Sequence, residues 1–485
     1  MNYIGIDLGT SGVKLLLMTG DGKILNKVTE EYGISFPHPG WSEQDPRDWY
    51  DHTIIAMKKL ISGIDPSSIG GIGVGGQMHG LVLLDEHDEV IRPAILWNDG
   101  RTTEETSYLN NDIGTSRLAE LTGNIAFAGF TAPKILWVYR NEPSNFARIR
   151  KIMLPKDYIV YRLTGAFTTD FSDASGMLLL DVRNRRWSRE MLEICHISES
   201  MLPLLRESSA PIGTVLPSVA SSLGLTGSVT VVAGAGDNAA AAIGTGTVGP
   251  GRCNISLGTS GTIFITSGGY VQLSNNALHF FAHADGRYHI MGCMLSAASC
   301  NKWWMDGILG DHDYAAAQRP VTDDALGTNP VYFLPYLMGE RSPHNDPSVR
   351  AMFTGMSMDT TRTQMTQAVL EGVAYGMRDC LEVARSMGIN ISESCICGGG
   401  GKSELWRRIM ANVLNVRIKT LKNDEGPALG GAILAAVGSG AYSDVISAAD
   451  RIVEFDSVIE PDPEIASRYD RGYQVYRELY PRIKM

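Results

Sequence analysis

Two aspartates stand where their neighbours could give them chemistry. Asp237 ends the run Val229 to Gly236, strand-forming and then Gly-rich, and precedes the Ala-rich stretch Asn238 to Ile243. The C-terminal end of a strand beside a Gly-rich turn is where α/β folds hold ligands. A carboxylate there could orient an alcohol and accept its proton in phosphoryl transfer, a gain of about 10²–10⁴-fold. Aspartate is also a favoured helix N-cap, worth roughly 1 kcal/mol, so the local sequence supports both roles. Asp7 precedes Leu8-Gly9-Thr10-Ser11-Gly12, and this pentad returns unchanged as Leu257-Gly258-Thr259-Ser260-Gly261. A Gly/Thr/Ser turn offers backbone N–H groups and hydroxyls that suit a phosphate oxygen. Two such turns, one per half of the chain, suggest two lobes gripping a polyphosphate. Ser256 precedes the second copy where Asp7 precedes the first. A carboxylate beside a phosphate turn calls for a cation between them, so Asp7 is assigned to the metal side.

Other residues could complete such a site. Gly398 to Gly401 follow Cys395-Ile396-Cys397, and four glycines cost backbone entropy on folding. Close approach of a flat or charged ligand is a sufficient return, and a nucleoside is the natural candidate beside phosphate turns; a tight strand–helix turn is the plainer reading. Met78-His79 and Asn98-Asp99, each at a strand end, could meet a small neutral polyol through hydrogen bonds and one apolar face. A structural His79, an Asp99–Arg101 pair and a core Trp97 are the plainer readings here. Three motif matches fail on context. Gly71-x-Gly73-x-x-Gly76 is followed by a strand where a dinucleotide fingerprint needs a helix, and Gly244-x-Gly246-x-x-Gly249 follows a helix. Gly401-Lys402-Ser403 lacks the P-loop's first glycine, since Ile396 holds that position.

The positioning elements follow from periodicity and turn signals. Each pentad sits between two strands, Met1 to Asp7 and Val13 to Leu17 in the first copy, Cys253 to Ser256 and Thr262 to Ile265 in the second. Strands are expected at 69–76, 81–84, 94–97, 229–233 and 288–294. Helices are expected at 102–110, 133–140, 238–243, 362–387 and 403–415, with one near Ser299 and a last Ala-rich one opening at 426–430. Strands alternating with helices imply α/β domains, and the hairpins imply mixed sheets. The boundary is placed at the Gly/Thr-rich segment 244–251, giving domains 1–244 and 245–485.

Composition bounds the function. A chain of 485 residues exceeds one ordinary core. Its net charge of −11 argues against a nucleic-acid or anionic-membrane surface. No apolar run reaches the roughly 18 residues of a membrane span, and Asp7 interrupts any signal peptide. Seven scattered cysteines without Cys-x-x-Cys read as reduced thiols of a cytoplasmic protein.

Across essentially its whole length the chain resembles the FGGY family of carbohydrate kinases, within the actin–hexokinase–heat-shock-chaperone superfamily. Gly5 to Lys14 resembles the family's first phosphate hairpin, Gly234 to Ala239 its catalytic segment, Leu257 to Gly261 its second hairpin, and Gly398 to Trp406 its adenosine motif. Phe130 to Trp137 resembles one family signature, and Ala368 to Gly372 ends the other. Gly76-Gln77-Met78-His79-Gly80, Leu96 to Arg101, Leu334 to Arg341 and Pro343-His344 look like segments of the members that act on D-xylulose. The resemblance implies an α/β fold of two ribonuclease-H-like domains, actin-like ATPase domains with mixed sheets flanked by helices, and an active site in the interdomain cleft. It implies ATP-dependent phosphorylation of D-xylulose at its terminal hydroxyl. In that scheme Asp237 is the base and Asp7 helps hold Mg²⁺, through water, near the transferring phosphate. Met78 and His79 contact the sugar with Asn238 beside them. Thr10, Ser11 and Lys14 face the phosphates, with Gly258 and Thr259 across the cleft, and Gly399 and Gly400 border the nucleoside. Glycerol kinases carry an Arg-Glu pair where Met78-His79 stands, which disfavours glycerol. A homodimer is the family expectation. The alternatives are a kinase of another ketose or polyol, such as ribulose or gluconate, and an ATP-driven conformational protein of the same superfamily. The latter has no reason to combine Asp237 with Met78-His79. A catalytically dead regulator would be expected to lack Asp7 or Asp237, and both are present.

Overall fold

The computed structural model describes residues 1–271 and 277–483. The chain packs as two compact units. The first comprises Met1–Val248, Phe280–Tyr288 and Glu425–Val453. The second comprises Gly249–His279, His289–Asp424 and Glu454–Met485.

The first unit is built on a mixed sheet. Its strands are β1 (Asn2–Leu8), β2 (Gly12–Thr19), β3 (Ile24–Glu31), β4 (Ile69–Gly76), β5 (Pro211–Thr214), β6 (Thr230–Val232) and the short β7 (Ala235–Gly236), in the order β5-β6-β4-β1-β2-β3 with β7 beside the end of β4. β1, β2 and β3 form antiparallel hairpins, while β4 runs parallel to β1 and β6 parallel to β4. The second unit repeats this ladder. β8 (Arg252–Leu257) and β9 (Gly261–Ser267) form the opening hairpin, with β10 (Tyr288–Met294) beyond it. β11 (Glu393–Cys397) runs parallel to β8, β12 (Arg417–Leu421) parallel to β11, and β13 (Phe455–Ile459) closes antiparallel. Each pentad is thus the turn of the first hairpin of its sheet, as its flanking strands predict.

Helices cover the sheets. In the first unit these include α1 (Pro46–Leu60), α2 (Thr131–Asn141), α3 (Pro155–Thr164), the single turn α4 (Phe171–Ala174) and α5 (Asp237–Gly244). In the second, α6 (Arg362–Ser386) and α7 (Glu404–Leu414) match the expected helices within a residue or two. The Ala-rich helix α8 (Gly426–Gly438) belongs to the first unit and lies on β1 and β4. A Cβ on Gly5 would come 1.7 Å from the Ala428 carbonyl oxygen, and one on Gly73 2.1 Å from that of Gly431. Gly73, the middle glycine of the fingerprint mimic, therefore admits a helix backbone onto the sheet, as Gly5 does, and β4 leads into a turn and the strand Val82–Leu84. Ile4, Ile6, Leu15, Leu17, Ile72 and Val74, with Trp49 of α1, form the core beneath. Two expectations change in detail. The helix near 102–110 is α-helical over Thr103–Ser107 and continues as a wider π-turn over Tyr108–Gly114. The strand at 94–97 keeps only Ala94–Ile95.

Candidate active site

Strand register collects the first set of site residues. Across the parallel strands β1, β4 and β7, Asp7 lies beside Gly75 and Gly75 beside Ala235; one residue on, Leu8 lies beside Gly76 and Gly76 beside Gly236. The phosphate turn, the segment Gln77-Met78-His79 and Asp237 therefore leave three neighbouring strands at one end. Strands sit about 4.8 Å apart, so the two aspartates are separated by on the order of two strand spacings. This is the strand edge at which α/β folds bind ligands.

Asp237 opens α5, but Gly236 is the capping residue and makes no side-chain cap. The N-cap alternative is thereby removed. Instead, one carboxylate oxygen accepts from the Asn238 N–H at 2.7 Å and from Asn238 Nδ2 at 3.0 Å. Burial, and then the charge of Asp7, push the Asp237 carboxyl up to about 7 against the opposing pull of these bonds. Burial lifts Asp7 to about 6, opposed by Lys14 on the facing strand. A carboxylate poised near neutral pH suits a general base. Lys14 Nζ sits 2.7 Å from Glu425 Oε2, and Lys27 binds the other oxygen at 2.6 Å.

Met78 is buried, with its sulfur 3.9 Å from Asn238 Nδ2. His79 adopts a left-handed φ of 69°, uncommon for a non-glycine residue. Its ring stacks on Phe130 at 4.7 Å, and Nδ1 meets the Gly176 carbonyl at 2.7 Å. Its own carbonyl accepts from Thr131 Oγ1 at 3.1 Å and from the fully buried Lys134 Nζ at 2.8 Å. Burial holds the Lys134 ammonium well below its usual pKa. The left-handed backbone of His79 is thus held by contacts from three sides.

Three residues depart from the plainer sequence reading or escaped it. Trp97 is half exposed rather than core, and its indole N–H donates to Thr10 Oγ1 at 2.9 Å. The Thr10 hydroxyl in turn donates to buried Gln77 Oε1 at 3.1 Å. Gln77 Nε2 reaches Gln44, whose amide holds the carbonyls of Thr10 and Gly33. The phosphate turn and the Met78-His79 segment therefore share one hydrogen-bonded chain. Gln44 carried no local signal, and Gln77 only its place beside Met78. Asp99 does not join the site: it is buried, forks onto Arg101, and accepts the Ser42 N–H at 2.6 Å. Arg101 lies 3.7 Å over the Trp41 ring. Asn98 is exposed.

The second unit assembles the other set. Ser256 of β8 lies beside Cys397 of β11, so the second phosphate turn and the glycine run leave adjacent strands at one end. Gly398 has φ 83°, and a Cβ there would stand 2.7 Å from the Leu257 carbonyl oxygen. Ser403 caps α7 by accepting the Trp406 N–H at 3.1 Å. A cavity of about 620 Å³ opens over this edge, lined by Gly258, Thr259, Gly399, Gly400, Gln318 and Trp406 among others, with Lys302 and Lys402 supplying positive charge. Its size and apolar walls fit a nucleoside. Gln318 and Lys302 lie far from the motifs in sequence and could not be picked out from it.

The N-terminal domain model of the FGGY family of carbohydrate kinases matches residues 2–244, and its C-terminal domain model matches residues 253–439. The chain is 42% identical over 485 residues to the xylulose kinase of Escherichia coli (strain K12), covering 99% of each. It matches the structure of a xyloylose kinase from Brucella ovis with a TM-score of 0.94 at 42% identity, covering 100% of this chain and 99% of that one. A gluconate kinase from Lactobacillus acidophilus matches with a TM-score of 0.93 at 26% identity, covering 99% and 98%. With both domain models matched and its strand edges carrying the motifs, the chain belongs to the FGGY family of carbohydrate kinases.

Proposed function

We propose that this chain transfers the terminal phosphoryl group of ATP to the terminal hydroxyl of D-xylulose, giving D-xylulose 5-phosphate. Membership of a kinase family implies ATP use. The full-length likeness to a xylulose kinase supports the sugar. The observation that carries the chemistry is the register that sets Asp237 at the same strand edge as Met78-His79 and the first phosphate turn.

In this reading Met78 and His79 hold the sugar, with Asn238 steadying Asp237. Asp237, its carboxyl raised to about 7, accepts the proton of the attacking hydroxyl as the new O–P bond forms and the bond from the γ-phosphorus to the bridging oxygen breaks, releasing ADP. The N–H and hydroxyl groups of Thr10 and Ser11, and the Lys14 ammonium, suit the charge of the transferring group. In the second unit Gly258 and Thr259 take the phosphates and Gly399-Gly400 flank the nucleoside. Mg²⁺ fits Asp7: its carboxylate has no hydrogen-bond partner among the described residues, and Mg²⁺ commonly uses one or two carboxylates plus water and substrate phosphates. When bound, the ion supplies charge neutralisation at the phosphates. No group of three or more His, Cys, Asp or Glu side chains that could hold a metal occurs among the described residues. All seven cysteines are thiols, which supports a reducing compartment such as the cytoplasm. No helix among the described residues is long and apolar enough to cross a membrane. The family expectation of a homodimer is tested by light scattering.

The deciding experiment is ADP release with MgATP against D-xylulose, D-ribulose, L-ribulose, L-xylulose, gluconate, glycerol and no sugar. Strong selectivity for D-xylulose is expected. A preference for gluconate would keep the mechanism and replace the substrate. Equal rates with and without sugar would overturn the kinase reading in favour of an ATP-driven conformational protein.

A further inference from the structure

Within the first unit, behind the segment that carries Asp237, a lysine is buried among three aspartates. Lys156, Asp157, Asp170 and Asp173 are each 0–1% exposed. Lys156 Nζ lies 2.7 Å from Asp157 Oδ1, 3.2 Å from Asp170 Oδ1 and 3.9 Å from Asp173 Oδ2. Neither carboxyl oxygen of Asp173 has a hydrogen-bond partner among the described residues. Burial, in spite of Lys156, pushes the carboxyls of Asp157 and Asp173 upward. Such clusters stabilise poorly: apolar side chains of the same volume commonly do as well or better. A reason for this one lies in the hydrogen bonds that lead out of it.

Two of them reach the Asp237 segment. Lys156 Nζ donates to the Ala233 carbonyl at 3.2 Å. The Gly236 N–H donates to Ser172 Oγ at 3.2 Å, and that hydroxyl donates to Asp170 Oδ2 at 2.5 Å. Ser208 Oγ binds the same carboxylate oxygen at 2.7 Å but does not touch Gly236. The stem of Lys156 also fills the space under both strand ends. A Cβ on Gly76 would lie 2.9 Å from Lys156 Cβ, and one on Gly234 would lie 3.1 Å from Cδ. Between β6 and β7 the chain passes through Gly234 at φ 80°, outside the regular ladder. The peptide before Asp237 therefore takes support from this cluster as well as from its pairing with β4.

We propose that Ser172, oriented by Asp170 and Lys156, is a positioning residue for Asp237. It holds the Gly236 peptide and so sets the direction in which the Asp237 carboxylate meets the acceptor hydroxyl. The proposal rests on the kinase reading, in which Asp237 is the base. Small misplacements of a catalytic group cost turnover steeply, on the order of 10²-fold for 1 Å.

Ser172→Ala and Ser208→Ala make a matched pair. Each removes one hydroxyl from Asp170, and both leave the Ser172 N–H that Asp170 accepts as cap of α4. Sugar-dependent ADP release is measured for both beside wild type, with KM for each substrate and the thermal midpoint. Ser172→Ala is expected to lower kcat about 10- to 100-fold, with KM for D-xylulose within about twofold. Ser208→Ala should keep kcat, and Ser172→Thr should restore it. Equal kcat in Ser172→Ala and wild type, or equal losses in the two alanine variants, overturns the positioning role. Should Ser172→Ala fail to fold, Ser172→Cys takes its place, and full turnover there overturns the proposal. A wild-type enzyme without sugar-dependent turnover speaks instead against the kinase reading, so the two failures are distinct.

Discussion

Asp237 carries two opposed demands. In the proposed reaction its carboxylate must be ionised beside a hydroxyl, while the fold leaves it only partly exposed, near Asp7, and raises its pKa. With its carboxyl raised to about 7, kcat/KM for the sugar should fall tenfold per unit as pH drops below about 7 and level off above it. A profile flat from pH 5.5 to 8 would show that no group of this kind is required. Asp237→Asn should remove about 10²–10⁴-fold of turnover while nucleotide and sugar still bind by calorimetry; near-normal turnover eliminates Asp237 as base. The same residue links stability to pH. Because the folded value lies above the ordinary 3.8, the folded protein holds this proton more tightly than the unfolded chain. Its favourable contribution is complete below about pH 4 and is lost as pH rises through about 7. Asp237→Asn should therefore raise the thermal midpoint at pH 8 relative to wild type, and the gain should shrink toward pH 5. A variant less stable than wild type at pH 8 contradicts the burial argument.

At the scale of elements, what could be read in the sequence is what is local in it. The two hairpins, the Gly398–Gly401 turn and the long helix α6 each announce themselves within a dozen or so residues, since strand alternation, turn glycines and helical period are short-range signals. The ladder that places Asp7, Gly75 and Ala235 side by side spans more than two hundred positions and appears only in the structure. Separation in sequence also hides Glu425 as partner of Lys14, and Trp97, 87 positions on, as partner of Thr10. A core Trp97 is the plainer reading of the sequence, but an indole has a polar edge that a partially exposed hydroxyl can use. Gly398 is the element-level test of the second unit. Its left-handed backbone and the 2.7 Å approach to the Leu257 carbonyl exclude a side chain. Gly398→Ala should displace the loop and raise KM for ATP by at least about tenfold, roughly 1.4 kcal/mol of binding. Unchanged KM for ATP would separate the glycine run from nucleotide binding.

The whole molecule repeats one ladder with different endings. Both sheets open with the same pentad turn and continue through strands parallel to the first. The closing antiparallel strand comes before its neighbour in sequence in the first unit and after it in the second. The first unit's edge is furnished with Asp7, Met78-His79 and Asp237, and the second's with a large cavity and a glycine run. The repeated scaffold thus has two differently furnished edges, which the proposed function assigns to the acceptor and to the nucleotide. That division is measurable without turnover. A ligand present at about 100 times its Kd adds about 2.7 kcal/mol of stability to the fold that binds it. D-xylulose and a non-hydrolysable ATP analogue should each raise the thermal midpoint of the wild-type protein. In His79→Asn, chosen because asparagine tolerates the left-handed backbone at that position, the sugar's shift should vanish while the analogue's persists. In Gly398→Ala the sugar's shift should persist while the analogue's falls to about half, about 1.4 kcal/mol for a tenfold weaker Kd. Loss of the nucleotide shift in His79→Asn, with the sugar shift intact, would reverse the assignment of the two edges; loss of both would mean that neither edge binds its ligand alone.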